Sequence, residues 1–129
     1  MSDIELVERV YQRFAERDLD ALLELSAADC VITQDARLPW GGHHLGHQGV
    51  TQFATLLVTS IDSVLTTDAL FEADGQVIQI GRIRGSVYAN GAAFDVPEVH
   101  TWTIGEGKVR SAHFANDTAA MLAALGGGS

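Results

Sequence analysis

Apolar residues recur at intervals of three and four along the N-terminal half of the chain, which is the spacing of amphipathic helices. A first helix is predicted to begin at Ser2, because Ser2 and Glu5 have the spacing of a capping box. A second, shorter helix is predicted after Asp18, a favourable N-cap residue. The apolar positions of the three predicted helices are Ile4, Val7, Tyr11 and Phe14, then Leu19, Leu22 and Leu23, and then Val50, Phe53, Ala54, Leu57 and Ile61.

Strand patterns occupy most of the remaining sequence. Residues 30–35 form a predicted strand on which Val31, Thr33 and Asp35 share one face. The glycine- and histidine-rich stretch 36–49 has no periodicity and is predicted to be a loop over the mouth of a cavity. Four more strands are predicted near residues 62–73, 76–89, 92–104 and 108–116. The turns between these four strands are predicted at Asp74-Gly75, Asn90-Gly91 and Gly105-Glu106-Gly107.

The order of the elements predicts an α+β fold. A closing helix is expected from Thr118 to Leu125, followed by a flexible Gly-Gly-Gly-Ser tail at residues 126–129. An antiparallel meander can bury one face only if helices cover it. We therefore expect one domain over residues 1–125, in which three helices of the N-terminal half wrap a mixed, mainly antiparallel sheet.

Composition and charge exclude several classes of protein. The net charge of −9 argues against nucleic acid and against anionic membrane surfaces as partners. The sequence has no apolar run long enough to span a bilayer, and its N-terminus lacks the features of a signal peptide. The single cysteine, Cys30, fits a reducing compartment, so a cytoplasmic location is expected.

Three sequence blocks resemble a known superfamily. VYQRFAERDLDALLELSAADCVITQD resembles the opening of ketosteroid isomerases and SnoaL-like polyketide cyclases, which are relatives of nuclear transport factor 2. VHTWTIGEGKV and NDTAAMLAAL resemble the ends of SnoaL-like members. The resemblance implies a cone-shaped α+β barrel, in which a curved sheet surrounds a central hydrophobic pocket. It also implies a homodimer and a small enzyme that needs no cofactor.

Asp35 is the first candidate for a catalytic residue. Matched residue by residue, it stands where the isomerases carry the aspartate that moves a proton next to a steroid carbonyl. A carboxylate that faces an apolar cavity is desolvated and becomes a stronger base. The alternative is that Asp35 only begins the turn before Pro39, as aspartates commonly do.

His100 is the second candidate. Alternation along the strand FDVPEVHTWTI places Glu98, His100 and Trp102 on one face. The resemblance aligns His100 with the protonated aspartate of the isomerase oxyanion hole, where an imidazole could act as acid or hydrogen-bond donor. The alternative is a structural histidine beside Trp102 whose hydrogen bonds are satisfied within the protein.

Other positions depart from the patterns of the superfamily. The oxyanion tyrosine of the isomerases corresponds to Phe14, while Tyr11 lies one helical turn earlier and is either a cavity residue or a plain core tyrosine. Phe114 replaces the acid that cyclases and epoxide hydrolases carry on the last strand. A dehydratase-like set of Asp35, His100 and His113 would need His113 to face inward, whereas alternation lets only one of His113 and Phe114 do so.

A metal site is conceivable at His43, His44 and His47. The three histidines lie in a glycine-rich loop without a nearby cysteine or acidic ligand, so solvated loop histidines are expected instead. No metal and no cofactor are predicted.

Two classes of function fit the sequence. The first is a cofactor-independent enzyme that transfers protons on a hydrophobic carbonyl compound by isomerisation, cyclisation or dehydration. Asp35 would be its base and His100 its acid or oxyanion donor. The second is a non-catalytic module for ligand binding or dimerisation. In both classes the expected pocket residues are Tyr11, Phe14, Trp40, Glu98, Trp102 and Phe114.

Overall fold

A computed structural model describes residues 1–126, so the last three residues of the predicted tail lie outside the described residues. The chain forms four helices and six strands. In chain order they are α1 (Asp3–Ala15), α2 (Leu19–Leu25), β1 (Ser26–Gln34), β2 (Gly42–Leu45), α3 (Gly46–Ser60), β3 (Ile61–Ala73), β4 (Gln76–Val87), β5 (Ala93–Gly105), β6 (Lys108–Asn116) and α4 (Thr118–Ala124). The predicted α+β fold is confirmed.

The predicted helix starts are confirmed by their caps. Ser2 and Glu5 form the complete capping box of α1, with each side chain bonded to the other residue's backbone N–H. Asp18 caps α2 by accepting a hydrogen bond from the backbone N–H of Ala21, and Asp117 caps α4 in the same way.

All six strands join one curved sheet in the order β2-β1-β6-β5-β4-β3. β1 and β6 run parallel, and every other neighbouring pair is antiparallel. The sheet is open, with β2 and β3 at its two edges. Two of the predicted turns have both central residues at positive φ, namely Asp74-Gly75 and Glu106-Gly107, and they join their strands as tight hairpins.

The helices cover the concave face of the sheet. α3 packs against β1, β2 and β3, α1 packs against β3 and β4, and α2 bridges the two helices. The buried side chains of these helices and of the inner sheet face form one continuous core. The fold therefore places the inward-facing residues of β5 and β6 opposite α1 and α3.

The stretch 36–49 differs from its prediction as a loop. Residues 42–45 form β2, which pairs with β1 in a register that sets His44 opposite Ile32. α3 begins at Gly46, four residues before Val50, and ends before Ile61, which starts β3. The glycines explain the missed strand: Gly42 and Gly46 both have positive φ, so the chain turns sharply at each end of a strand only four residues long.

No helix among residues 1–126 combines the length and the apolar character needed to cross a membrane.

Candidate active site

A cavity of about 100 Å³ lies between the helices and the concave face of the sheet. Its walls come from α1, α2, α3 and the inner faces of the strands, and they are mostly apolar. All of the predicted pocket residues line it, as does His100; the pocket residues are Tyr11, Phe14, Trp40, Glu98, Trp102 and Phe114.

Strand alternation brings the polar side chains of β5 to this cavity. From Ala93 to His100 the residues of β5 alternate between exposed and buried. Glu98, His100 and Trp102 all lie on the buried face. His100 lies directly opposite Phe114 in the pairing of β5 with β6, and their ring centroids are 4.6 Å apart. Two buried polar residues, Glu98 and His100, therefore stand beside the aromatic rings of Trp102 and Phe114 on the cavity wall.

His100 is held between a carboxylate and a phenol. Its Nε2 atom lies 2.6 Å from Oε2 of Glu98, and its Nδ1 atom lies 2.8 Å from the hydroxyl of Tyr11. That hydroxyl also accepts a hydrogen bond of 2.9 Å from Nε1 of Trp102. Both nitrogens of the ring are thus bonded within the protein, and the chain Glu98–His100–Tyr11–Trp102 runs along the cavity wall.

The hydroxyl of Tyr11 remains protonated over the physiological pH range. Burial raises the pKa of Tyr11 well above its ordinary value, the hydrogen bond from Trp102 opposes this effect, and the carboxylate of Glu98 adds to it. When Nε2 of His100 carries the proton and donates to Glu98, Nδ1 is free to accept from Tyr11. The arrangement therefore places a carboxylate that can accept a proton and a neutral hydroxyl on the two sides of a bridging imidazole.

Gln79 supports Glu98 from β4 and was missed at the sequence level. Its side chain is completely buried, and its Nε2 atom donates to Oε1 of Glu98 and to Oγ1 of Thr67, each over 3.1 Å. Gly81 leaves room for this amide, since a Cβ atom there would lie 2.8 Å from Nε2 of Gln79. The sequence VIQIGRI (residues 77–83) contained a signal for this role, because Gln79 shares a strand face with the apolar residues Val77 and Ile83.

Asp35 lies outside the cavity. The residues of β1 that line the cavity are Ser26, Cys30, Ile32 and Gln34, whereas Val31 and Thr33 point away from it. Asp35 follows directly after the strand and does not line the cavity. The carboxylate pairs with the side chain of Arg37, with Oδ2 2.7 Å from Nη2 and Oδ1 3.0 Å from Nε. This side chain, together with the backbone N–H of Arg37, lowers the pKa of Asp35 to about 2.

The structure does not bring Asp35 to His100. β1 ends at Gln34, one residue before Asp35, and the residues that it turns to the cavity include Cys30, Ile32 and Gln34. A carboxylate with a lowered pKa is also a weaker base, which is the opposite of what a buried isomerase-type aspartate would be.

The remaining histidines point in different directions. His43 and His47 are exposed, whereas His44 is buried, and its Nε2 atom contacts the carbonyl oxygens of Trp40 and Gly41. The expectation of three solvated histidines is therefore wrong for His44, because alternation in β2 turns it into the core. His113 is exposed and contacts Thr33 through Nδ1. Within residues 1–126, no cluster of three or more His, Cys, Asp or Glu residues has the arrangement of a metal site.

Comparison with known proteins fits this architecture. Residues 7–112 match the family model of the SnoaL-like domain. The chain belongs to this family. Comparison with curated proteins gives no match.

Solved structures of other proteins show the same fold. A nuclear transport factor 2-like protein of unknown function from Burkholderia pseudomallei is 27% identical, with a TM-score of 0.88 over 97% of this chain and 98% of that one. A hypothetical protein from Catenulispora acidiphila with a ketosteroid isomerase-like fold, in complex with trimethylamine, is 19% identical, with a TM-score of 0.81 over 95% and 92%. A proposed polyketide cyclase from Xanthomonas campestris is 18% identical, with a TM-score of 0.82 over 94% of each chain.

Proposed function

We propose that this SnoaL-like protein is a cofactor-independent enzyme that transfers protons on a small, hydrophobic carbonyl compound. The buried line from Glu98 through His100 to Tyr11 on the cavity wall carries the proposal, with contacts of 2.6 and 2.8 Å. It gives a base, a relay and a hydroxyl donor within one apolar site. The base is Glu98, and Asp35 has no part in it.

In the proposed reaction, Glu98 removes a proton from the carbon next to the carbonyl. The electrons of the broken C–H bond move to the carbonyl oxygen, which becomes an enolate. The Tyr11 hydroxyl then turns its one O–H from Nδ1 of His100 to this oxygen. Return of the proton to a conjugated carbon gives isomerisation. Return to the same carbon gives net exchange when the proton on Glu98 has first been replaced by one from solvent. His100 lies between the two groups and balances the charge that develops on either side.

The size of the cavity limits the substrate. A cavity of about 100 Å³ is smaller than most drug-sized pockets and is of the order that holds one aromatic ring. The description of one fold neighbour as a proposed polyketide cyclase agrees with an enolisable cyclic compound as the substrate class. The proposal therefore specifies a molecule of about one ring with a carbonyl group.

The second candidate function is binding without catalysis. Both nitrogens of His100 already have partners inside the protein, which is also what a purely structural histidine requires. In this case the cavity would hold a small ligand, and the polar chain would only fix the geometry of its wall.

Deuterium uptake by cyclohexanone in D₂O, followed by proton NMR, separates the two candidates. We expect the wild-type protein to accelerate exchange at the carbons next to the carbonyl, and Glu98→Gln to lose roughly 10²- to 10⁴-fold of that acceleration. The matched control is Asp35→Asn, which makes the same chemical change outside the cavity and should exchange at the wild-type rate.

The two candidates give opposite results in this assay. Cyclohexanone that binds, as shown by amide shifts of the cavity residues, but gains no deuterium would reject the enzyme and support the binding module. Loss of exchange in Asp35→Asn with retention in Glu98→Gln would return the base to Asp35.

The proposal includes a homodimer in the cytoplasm. Ile80 and Val99 pair with each other on the outer face of the sheet and are 41% and 43% exposed, and Phe71 lies on the same face. Burying these side chains against a second copy would remove apolar surface from water. Sedimentation equilibrium should give twice the chain mass for the wild type and the chain mass for Val99→Lys. Cell fractionation of the tagged chain tests the location.

A further inference from the structure

Among the cavity-lining residues, Asn116 alone has a buried side-chain polar atom without a hydrogen-bond partner within residues 1–126. The hydroxyls of Tyr11 and Ser26 and the side chains of Glu98 and His100 all have hydrogen-bond partners in the protein. Asn116 also lines the cavity, but its Oδ1 atom is buried and has no hydrogen-bond partner among residues 1–126. A buried amide oxygen without a hydrogen bond lowers the stability of the fold, and a ligand that donates a hydrogen bond to it would remove this cost.

The register of the sheet places Asn116 beside the proposed base. Asn116 on β6 is directly opposite Glu98 on β5, and both side chains face the cavity. Side chains opposite each other in an antiparallel pair have Cβ atoms about 5 Å apart. A ligand group bound to the amide of Asn116 would therefore lie next to the carboxylate of Glu98.

We infer that Asn116 binds a hydroxyl group of the ligand, so that the substrates are ring-sized apolar molecules that carry a hydroxyl or an enol. A hydroxyl both donates and accepts, so it can pair with either end of a side-chain amide, whereas a carbonyl can only accept. The ligand hydroxyl donates its one proton to Oδ1 of Asn116, the atom that lacks a partner. The inference rests on the proposed binding of a small molecule in this cavity, but not on proton transfer to carbon.

Phenol and toluene form a matched pair of probes, because each is one ring and they differ by a hydroxyl in place of a methyl group. Their dissociation constants are measured by amide shifts in NMR titrations of the wild type, Asn116→Leu and Gln34→Leu. We expect Asn116→Leu to weaken phenol relative to toluene by roughly 3- to 10-fold, the range for one neutral hydrogen bond. Gln34→Leu is the comparison variant, because it removes the other side-chain amide that lines the cavity. No polar atom of Gln34 is buried without a partner within residues 1–126, so we expect the wild-type ratio of the two dissociation constants.

Three results would overturn the inference. The first is an unchanged preference for phenol over toluene in Asn116→Leu. The second is a loss of this preference in Gln34→Leu alone. The third is failure of phenol to bind the wild type. If leucine is not accommodated, Asn116→Ala also lacks the amide and must show the same fall. The deuterium assay gives a separate result. Deuterium exchange without a preference for phenol would support the proposed enzyme and reject the role of Asn116. A preference for phenol without deuterium exchange would support the role of Asn116 and reject the proposed enzyme.

Discussion

Glu98 and Asp35 are both carboxylates of the same sheet, and they face opposite sides of it. Glu98 is 3% exposed, bonds to Gln79 and His100, and borders the cavity. The side chain of Asp35, just beyond the end of β1, is 33% exposed and pairs with Arg37 outside the cavity. The difference depends on which face of β1 the tertiary packing turns inward, because one step along a strand moves a side chain from one face to the other.

The two carboxylates also differ in what their partners do. Arg37 carries a full positive charge, so it stabilises the ionised form of Asp35 and makes it a poor base. The partners of Glu98 are an amide and an imidazole, each of which orients one carboxylate oxygen and leaves that oxygen able to accept a further hydrogen bond. The usefulness of an acidic residue for catalysis is thus set by its neighbours as much as by its burial.

The largest expected difference between the two sites is in stability. Glu98→Leu leaves buried donors of Gln79 and His100 without an acceptor, and we expect it to lower the free energy of unfolding by about 2–4 kcal/mol. Asp35→Leu makes the same substitution on the outer face and should leave the midpoint of urea unfolding nearly unchanged. Equal losses in the two variants would show that Asp35 is as deeply integrated as Glu98 and would break the comparison.

A smaller effect is expected from the residue that supports Glu98. Gln79→Leu removes one donor to the carboxylate, but it also removes the buried Oε1 atom of Gln79, which has no partner among residues 1–126. We therefore expect a loss of only about 1–2 kcal/mol in urea unfolding. Gln76→Leu is the matched control on the same strand, because the amide of Gln76 bonds to Thr103, outside the cavity, and is only part-buried. A larger loss in Gln76→Leu would contradict a supporting role for Gln79.

The sequence predicted the helices and hairpins well because their signals are local. The capping box at Ser2, the N-cap at Asp18 and the turn at Asp74-Gly75 each depend on a few adjacent residues. β2 was missed because four residues between glycines carry no periodicity, and their pairing with β1 is a contact that local sequence does not encode.

The candidate site was predictable on one strand and not on the other. On β5 the apolar residues Phe94, Val96 and Trp102 lie on one face, so the inward direction of Glu98 and His100 was evident. On β1 the apolar residues Cys30, Val31 and Ile32 occupy both faces, so parity could not decide which face Asp35 shares with the cavity. That choice is made by the pairing with β6 and by the position of α3, which are tertiary features.

The smallest expected effect is the pH dependence that Asp35 contributes. Its pKa is about 2 in the folded protein, below its ordinary value of 3.8, so ionised Asp35 stabilises the fold at neutral pH. This contribution should be lost as the pH falls from about 4 to about 2. Asp35→Asn keeps an oxygen that can accept the backbone N–H of Arg37, so it removes mainly the charge. Thermal unfolding should show a small difference from wild type at pH 7 that vanishes by pH 2.

Salt provides the control for this effect, since an exposed ion pair is screened while a buried hydrogen-bond network is not. The difference between wild type and Asp35→Asn at pH 7 should shrink in 1 M NaCl, and Arg37→Gln should behave like Asp35→Asn. The loss in Glu98→Leu should be nearly independent of salt, because the contacts of Glu98 are buried. A difference at Asp35 that persisted at pH 2 and in high salt would mean that its side chain acts through packing rather than charge. The contrast between an inner, oriented carboxylate and an outer, paired one would then no longer hold.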